Sequence, residues 1–309
     1  IMHPLHRSAW LRVPILFPLE LRRLPVDVFH AHYTVPPWTK AKVVLTLHDF
    51  FWMVYPEHFA SIKRIPITYT IKKSVERADR ILVGTSYIKQ QTMEYFGVPD
   101  ERFAVIPYGL DQRFCNQATD EQLKSVRHKY GINGPYILAV GDIHPRKNLE
   151  RLLKAFVILP ERQHLNLVLV GKPLLKAKKL YQYITNTALQ NSVITTGYVC
   201  DEDLLPLYQG AKVFCYPSLY EGFGFPILEA MASGVPVATS ASSSCPEVGG
   251  QAAVYFDPTS VEDIADKLSQ TLTNSELRAK RVKEGIEWAR RFTWEETARR
   301  TIDIYRTLY

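Results

Sequence analysis

Short runs of consecutive apolar residues alternate along this chain with stretches of helical periodicity. Asp27–Phe29, Lys42–Leu47, Arg80–Gly84 and Phe103–Ile106 read as strands, followed by Tyr136–Val140, Leu165–Val170, Val193–Thr196, Lys212–Tyr216 and Pro236–Thr239. Amphipathic stretches such as Leu149–Leu159 and Val261–Leu272 lie between them. Apolar strands separated by helices indicate parallel sheets covered on both faces, so the expected class is α/β. Asp120–Pro135 reads as a polar helix followed by a Gly-Ile-Asn-Gly-Pro turn ahead of a fresh strand, which makes it the natural linker. The division expected is a first domain over 1–131, a second over 132–292 and a closing helix over 293–309. No internal repeat or low-complexity tract interrupts the pattern.

A length of 309 residues agrees with two domains at ~100–200 residues each. With 46% hydrophobic and 22% charged residues, the chain is neither disordered nor collagen-like nor a coiled coil. No run reaches the ~18 uncharged apolar residues of a membrane span. Trp10–Leu19 comes nearest, but Arg12, Pro14 and Pro18 break it and no small-residue cleavage site follows. Cys115, Cys200, Cys215 and Cys245 are widely spaced and form no CxxC pair. That usage argues for a reducing, cytoplasmic setting and against a disulfide framework or a zinc site.

Charge is unevenly placed. The net +7 arises mainly in residues 1–130, which hold 18 Lys and Arg against 12 Asp and Glu, while the rest holds 20 against 19. A basic half of this kind can attract anionic lipid headgroups or polyanionic substrates. A plain solvated surface explains it equally well. No nucleic-acid motif accompanies it, so nucleic acid is not an expected partner.

The candidate chemistry concentrates in the second domain. Strand Tyr136–Val140 runs into Gly141-Asp142-Ile143-His144-Pro145-Arg146-Lys147-Asn148, with Asn148 placed to cap the next helix. Arg146 and Lys147 then lie at the carboxyl end of a parallel strand, where open α/β sheets bind ligands. Two adjacent cations suit a diphosphate, although a solvent-facing loop tip is the equal alternative. A second element, Tyr220-Glu221-Gly222-Phe223-Gly224-Phe225-Pro226, joins strand Lys212–Tyr216 to a helix that reaches Gly234. Gly222 and Gly224 permit tight turning, and a helix start beside them offers N–H groups to phosphate oxygens. Glu221 on the loop and Glu229 about one turn into the helix can both accept hydrogen bonds from sugar or ribose hydroxyls. Helix capping explains one acidic residue there, but not the glycines and Glu221 as well.

The E-x7-E pair Glu221/Glu229 within Tyr-Glu-Gly-Phe-Gly, together with Arg146-Lys147-Asn148, resembles the retaining GT-B glycosyltransferases of carbohydrate-active family 4. Thr46-Leu47-His48-Asp49, Gly84-Thr85-Ser86, Ile106-Pro107-Tyr108-Gly109-Leu110-Asp111 and Gly197-Tyr198-Val199 extend the likeness over nearly the whole chain. The resemblance implies two Rossmann-like domains facing a cleft, with the last helix crossing back to the first domain. It implies that Arg146 and Lys147 bind the donor diphosphate, that Glu229 holds the ribose and that Glu221 holds the donor sugar. Phe223, Gly224 and Phe225 would meet sugar and phosphates through their backbone. Gly171 and Lys172 would lie near the donor, Tyr198 and Val199 would flank the base, and His48 would reach the sugar from the first domain. The implied reaction moves a hexose from a GDP- or UDP-linked donor to a hydroxyl acceptor by front-face displacement, with no metal or other cofactor. The acceptor expected is lipid-linked or a polysaccharide, and contact with the inner membrane face through the basic half is compatible with it.

Two features compete with this reading. Asp201-Glu202-Asp203 matches a metal-binding D-x-D pattern but also opens a helix, where acidic residues serve as caps. His30, His32 and His48 fall on neighbouring strands, and zinc is the alternative there to ordinary polar contacts. The chain also opens at Ile1 without the strand and Gly-rich loop that begin the family pattern. The first domain is therefore expected to be truncated, with an exposed sheet edge that favours a homodimer. A catalytically weak nucleotide-sugar-binding or partner subunit is the alternative function.

Overall fold

A computed structural model describes residues 15–23, 26–58, 61–174 and 177–308. Half of the apolar stretch Trp10–Leu19, residues 10–14, lies outside the described residues. The chain divides into two compact units, one of residues 1–108 with 295–309 and the other of residues 109–294.

The first unit is built on a four-stranded parallel sheet: β1 (Val28–His32), β2 (Lys42–Leu47), β3 (Arg80–Val83) and β4 (Phe103–Val105), in that spatial order. Helix Ser61–Arg77 buries Ile71, Ser74 and Val75, and Arg77 closes the contact by donating to the carbonyls of Pro37 and Thr39. Helix Ser86–Phe96 starts at Thr85, whose hydroxyl accepts from Ile88 N (3.3 Å), and stops at Gly97 with φ 67°. Val44, Leu82 and Ile106 form an apolar face that Ile304, Tyr305 and Leu308 cover. Arg300 and Thr297 pin that last segment by donating to the carbonyls of Val105 (2.8 Å) and Pro107 (2.7 Å).

The second unit carries six parallel strands: β5 (Tyr136–Val140), β6 (Asn166–Val170), β7 (Val193–Gly197), β8 (Val213–Tyr216), β9 (Val237–Ser240) and β10 (Val254–Phe256). Their spatial order is β7-β6-β5-β8-β9-β10, which is the 3-2-1-4-5-6 winding of dinucleotide-binding sheets. Strand order reverses between β5 and β8, so the loops after these two strands flank a crevice at their carboxyl ends. Ile137, Ala139, Leu167, Leu169, Val213 and Cys215 line one face and pack against Leu152, Leu153 and Phe156 of helix Leu149–Ile158 and against Ile264 and Leu268 of helix Val261–Thr273. Burying such side chains stabilises by about 1.5–3 kcal/mol each.

Three expectations change. Strand β10 is only three residues long, too short to stand out as an apolar run. Helix Asp120–Lys129 belongs to the second unit and does not mark a division near residue 132. Lys129 and Tyr130 donate to Asp203 (2.5 and 2.7 Å), and Phe114 packs edge-on to Tyr208. Asn148 does occupy the helix-start position, but its side chain caps nothing. It sits buried at φ 57° and donates to the carbonyls of Pro217 (3.0 Å) and Pro258 (2.7 Å), tying the β5 loop to two distant turns.

Candidate functional site

The chain leaves β5 through Gly141 at φ 142°, and the next turn, Pro145–Lys147, is a single 3-10 helix. The His144 ring accepts from Arg146 N (3.2 Å) and fixes the start of that turn. Across the reversal point, β8 ends at Tyr216 and its loop brings in Glu221. The carboxylate of Glu221, 7% exposed, accepts from Arg146 on one oxygen and from Lys147 on the other at 2.8 Å. Lys147 also donates to the Tyr216 hydroxyl (2.7 Å) and lies 4.7 Å from that ring's centroid. Arg146 reaches the Tyr220 carbonyl as well (3.2 Å).

The Glu221 loop is held from behind. The Ser243 hydroxyl accepts from Glu221 N (3.0 Å), and the Ser244 hydroxyl bridges the carbonyls of Glu221 (2.9 Å) and Phe223 (2.8 Å). Burial pushes the Glu221 carboxyl up, but Lys147 and Arg146 outweigh it and hold the group below the usual carboxylate range. Sequence reading missed Tyr216, Ser243 and Ser244. For the two serines, the Ser242-Ser243-Ser244 run after a strand was the only local signal.

Two glycines are dictated by this packing. A Cβ on Gly171 would lie 2.2 Å from the Gly141 carbonyl oxygen, so the ends of β5 and β6 meet backbone to backbone. A Cβ on Gly141 would lie 2.9 Å from Cε of Lys147. On the β8 side, Gly224 at φ 109° starts helix Phe225–Ala232. Pro226 follows in the first turn, and Gly234 at φ 74° ends the element.

Glu229 lies beyond the first turn, so capping does not account for it. The buried Tyr208 hydroxyl donates to its Oε2 (2.7 Å). Burial raises the Glu229 carboxyl above its ordinary value, against the Tyr208 bond and nearby Arg113. Arg113 itself pairs with Asp201 (2.7 Å) and lies over the Phe114 ring. Asp201, Glu202 and Asp203 occupy the first turn of helix Asp201–Gln209, with Asp201 and Asp203 committed to Arg113 and to Lys129 and Tyr130.

The remaining expected residues fall elsewhere. Lys172 sits 4.6 Å from the centroid of the exposed Tyr198 ring at the ends of β6 and β7, and its backbone pairs with Asp142 (3.0 Å) and Ile143 (2.8 Å) of the β5 loop. Val199 and Phe223 are buried, and Phe225 stacks on Trp294 with centroids 6.5 Å apart.

His48 belongs to the first unit. It follows β2, and its Nε2 lies 2.7 Å from Nδ1 of His32 while its Nδ1 lies 2.6 Å from the Tyr108 hydroxyl. His30 and His32 share one face of β1, and the three rings stack in a row with centroids 5.7 and 4.9 Å apart. His30 bonds Thr46 Oγ1 (2.7 Å) and the Tyr305 hydroxyl. Among the described residues, no group of three or more His, Cys, Asp or Glu is arranged to hold a metal ion.

Residues 123–288 match the family described as Glycosyl transferases group 1, and residues 2–114 match Glycosyltransferase Family 4. The chain is 31% identical over 311 residues to the O-antigen chain mannosyltransferase B of Escherichia coli, covering all of this chain and 79% of that protein. It is 30% identical over 298 residues to the serotype-specific mannosyltransferase WbdA of Escherichia coli, covering 92% of this chain but only 36% of WbdA. Among solved structures, a glycosyltransferase from Rickettsia africae ESF-5 shares the fold with a TM-score of 0.80 at 20% identity, over 99% of this chain and 84% of that one.

The histidine row makes a pH prediction. Burial first, then His32 and His48, lowers His30 to about 4, and burial and His32 lower His48 to about 4. In the unfolded chain both titrate near 6.5. Between these values the unfolded state binds more protons, so stability falls as pH drops from about 6.5 towards 4. Thermal unfolding across this window is expected to show that loss, and it should be shallower in His30→Gln and His48→Gln. An equal slope in both variants would contradict the assignment.

Two parallel α/β sheets, the dinucleotide-type winding of the second and these matches give one result: the chain is a GT-B glycosyltransferase and belongs to the glycosyl transferases group 1.

Proposed function

We propose that this enzyme transfers a hexose from a nucleoside-diphosphate sugar to a hydroxyl of a glycan acceptor, with retention of configuration and without a metal. The observation that carries the reading is the convergence of Arg146, Lys147 and Glu221 at the strand-order reversal of the second sheet. Mannose from GDP-mannose is the favoured donor, supported by the 31% identity to a mannosyltransferase, with UDP-glucose and UDP-GlcNAc as the alternatives.

As the glycosidic C–O bond breaks, negative charge develops on the diphosphate oxygen. Arg146 and Lys147 supply fixed positive charge there, the task a metal performs in other sites. Their bonds to Glu221 keep both heads in place before a donor arrives, so little reorganisation accompanies the reaction. The acceptor hydroxyl attacks the same face and gives its proton to the departing phosphate oxygen. Glu229 keeps one oxygen for the ribose while Tyr208 holds the other. Val199, being buried, would serve the base through its backbone.

The acceptor proposed is lipid-linked, approached by peripheral contact with an anionic membrane surface. No helix among the described residues is long and apolar enough to cross a membrane. Helix Ser61–Arg77 instead exposes Ile62 (82%), Ile65 (64%) and Tyr69 (63%), spaced to form one stripe that continues into Lys72 and Lys73. An apolar stripe leading into cations complements a headgroup layer rather than bulk water.

Two outcomes are expected. GDP or GDP-mannose at 100-fold its dissociation constant should stabilise the protein by ~2.7 kcal/mol, a rise of a few degrees. Arg146→Ala and Glu229→Ala should each weaken nucleotide binding about 10–100-fold, while His48→Ala keeps the shift and slows turnover. Equal nucleotide affinity in all three variants would sink this division of roles. For the membrane, the protein should sediment with phosphatidylglycerol vesicles and not with phosphatidylcholine alone, and Ile62→Glu with Ile65→Glu should abolish it. Retained sedimentation in that double variant, or self-association through this helix without lipid binding, would refute the surface.

A further inference from the structure

His48 is the first-unit residue that the motif Thr46-Leu47-His48-Asp49 points to, yet both of its ring nitrogens are already engaged. Nδ1 meets the Tyr108 hydroxyl at 2.6 Å and Nε2 meets His32 Nδ1 at 2.7 Å. A neutral imidazole has one N–H and one lone pair, so neither nitrogen of His48 remains to hydrogen-bond a sugar. His32 differs. It is the last residue of β1, it is exposed, and its Nε2 has no partner among the described residues. Ligands of parallel sheets collect at the carboxyl ends of strands, which is where His32 stands.

We propose that His32 is a substrate-contacting residue whose Nε2 hydrogen-bonds a carbohydrate hydroxyl, and that His48 and Tyr108 are positioning residues that orient the His32 ring and set its tautomer. The inference rests on the glycosyl-transfer reading above. When Tyr108 donates to His48 Nδ1, His48 Nε2–H donates to His32 Nδ1, and His32 must carry its proton on Nε2, pointing outward as a donor. When His32 Nδ1–H donates to His48 instead, His32 Nε2 is an acceptor and His48 Nδ1–H faces the Tyr108 oxygen. The pair can therefore match either end of a hydroxyl without gaining charge. The parallel stacking of the His30, His32 and His48 rings, with interplanar angles of 13° and 14°, keeps the His32 ring from swinging away. His30 anchors the other end of the row through Thr46 and Tyr305.

Two isosteres separate contact from support. An asparagine amide reaches roughly where Nδ1 lies, and a glutamine amide roughly where Nε2 lies. His32→Asn keeps the bond to His48 and loses the outward nitrogen, whereas His32→Gln keeps the outward reach. The measurement is turnover of whichever of GDP-mannose, UDP-glucose and UDP-GlcNAc the wild type consumes, by donor hydrolysis and by transfer to methyl α-mannoside. His32→Asn is expected to lose about tenfold or more in kcat/KM, with His32→Gln within a few-fold of wild type and nucleotide affinity unchanged in both. A loss seen in hydrolysis places the hydroxyl on the donor sugar, and a loss confined to transfer, as a raised acceptor KM, places it on the acceptor. Either locates the contact. His32→Asn matching wild type, or His32→Gln falling below it, overturns the proposal. A wild type inert with all three donors refutes the transfer reading itself, and is recognised because protein and variants are then alike inactive.

Discussion

A buried carboxylate held by two cations organises the second unit. Glu221 cannot sit unpaired at this depth, and neither Arg146 nor Lys147 can lose it cheaply. Removing one partner from such a cluster costs about 3–5 kcal/mol, because a charge is left without its counterpart. The surroundings follow from that. Lys147 needs space over Gly141, Gly141 needs Gly171 beside it, and the Glu221 backbone needs Ser243 and Ser244. The cluster ties the loop after β5 to the loop after β8 at the one place where strand order reverses, so topology and electrostatics meet at the same point.

The first unit solves its polar problem without charge. Its histidines stack and share protons with one another, with Tyr108 and with Tyr305, and burial keeps His30 and His48 neutral near pH 7. Neutral rings with hydroxyl partners suit hydroxyl-rich ligands, while the cations of the second unit suit a diphosphate.

Much of this was legible in residue order. Strands β5, β6, β8 and β9 are short apolar runs bounded by turn residues, and a parallel sheet follows from them. Arg146 and Lys147 stood out in one segment and Glu221 in another, and the structure brings the three together. Their mutual ion pairing was not legible, because Arg146 and Glu221 are far apart in sequence and only the β5–β8 adjacency joins them. Asn148 misled because its side chain ignores its own helix in favour of two distant carbonyls. The stretch before residue 132 looked like a linker because its helix is polar, yet its ion pairs and Phe114 bind it to the second unit. The stacked histidines gave a spacing but no partner, since Tyr108 and Tyr305 lie far along the chain from the histidines they bond.

The central claim is that the second unit recognises a diphosphate through Arg146 and Lys147. Calorimetric titration of guanosine, GMP and GDP, and of the uridine series, in EDTA tests it most directly. The account predicts that affinity in the productive series rises steeply from nucleoside to diphosphate, and that the rise survives metal removal and weakens with added salt. A diphosphate that binds no tighter than its nucleoside, or only when a divalent cation is restored, would contradict it.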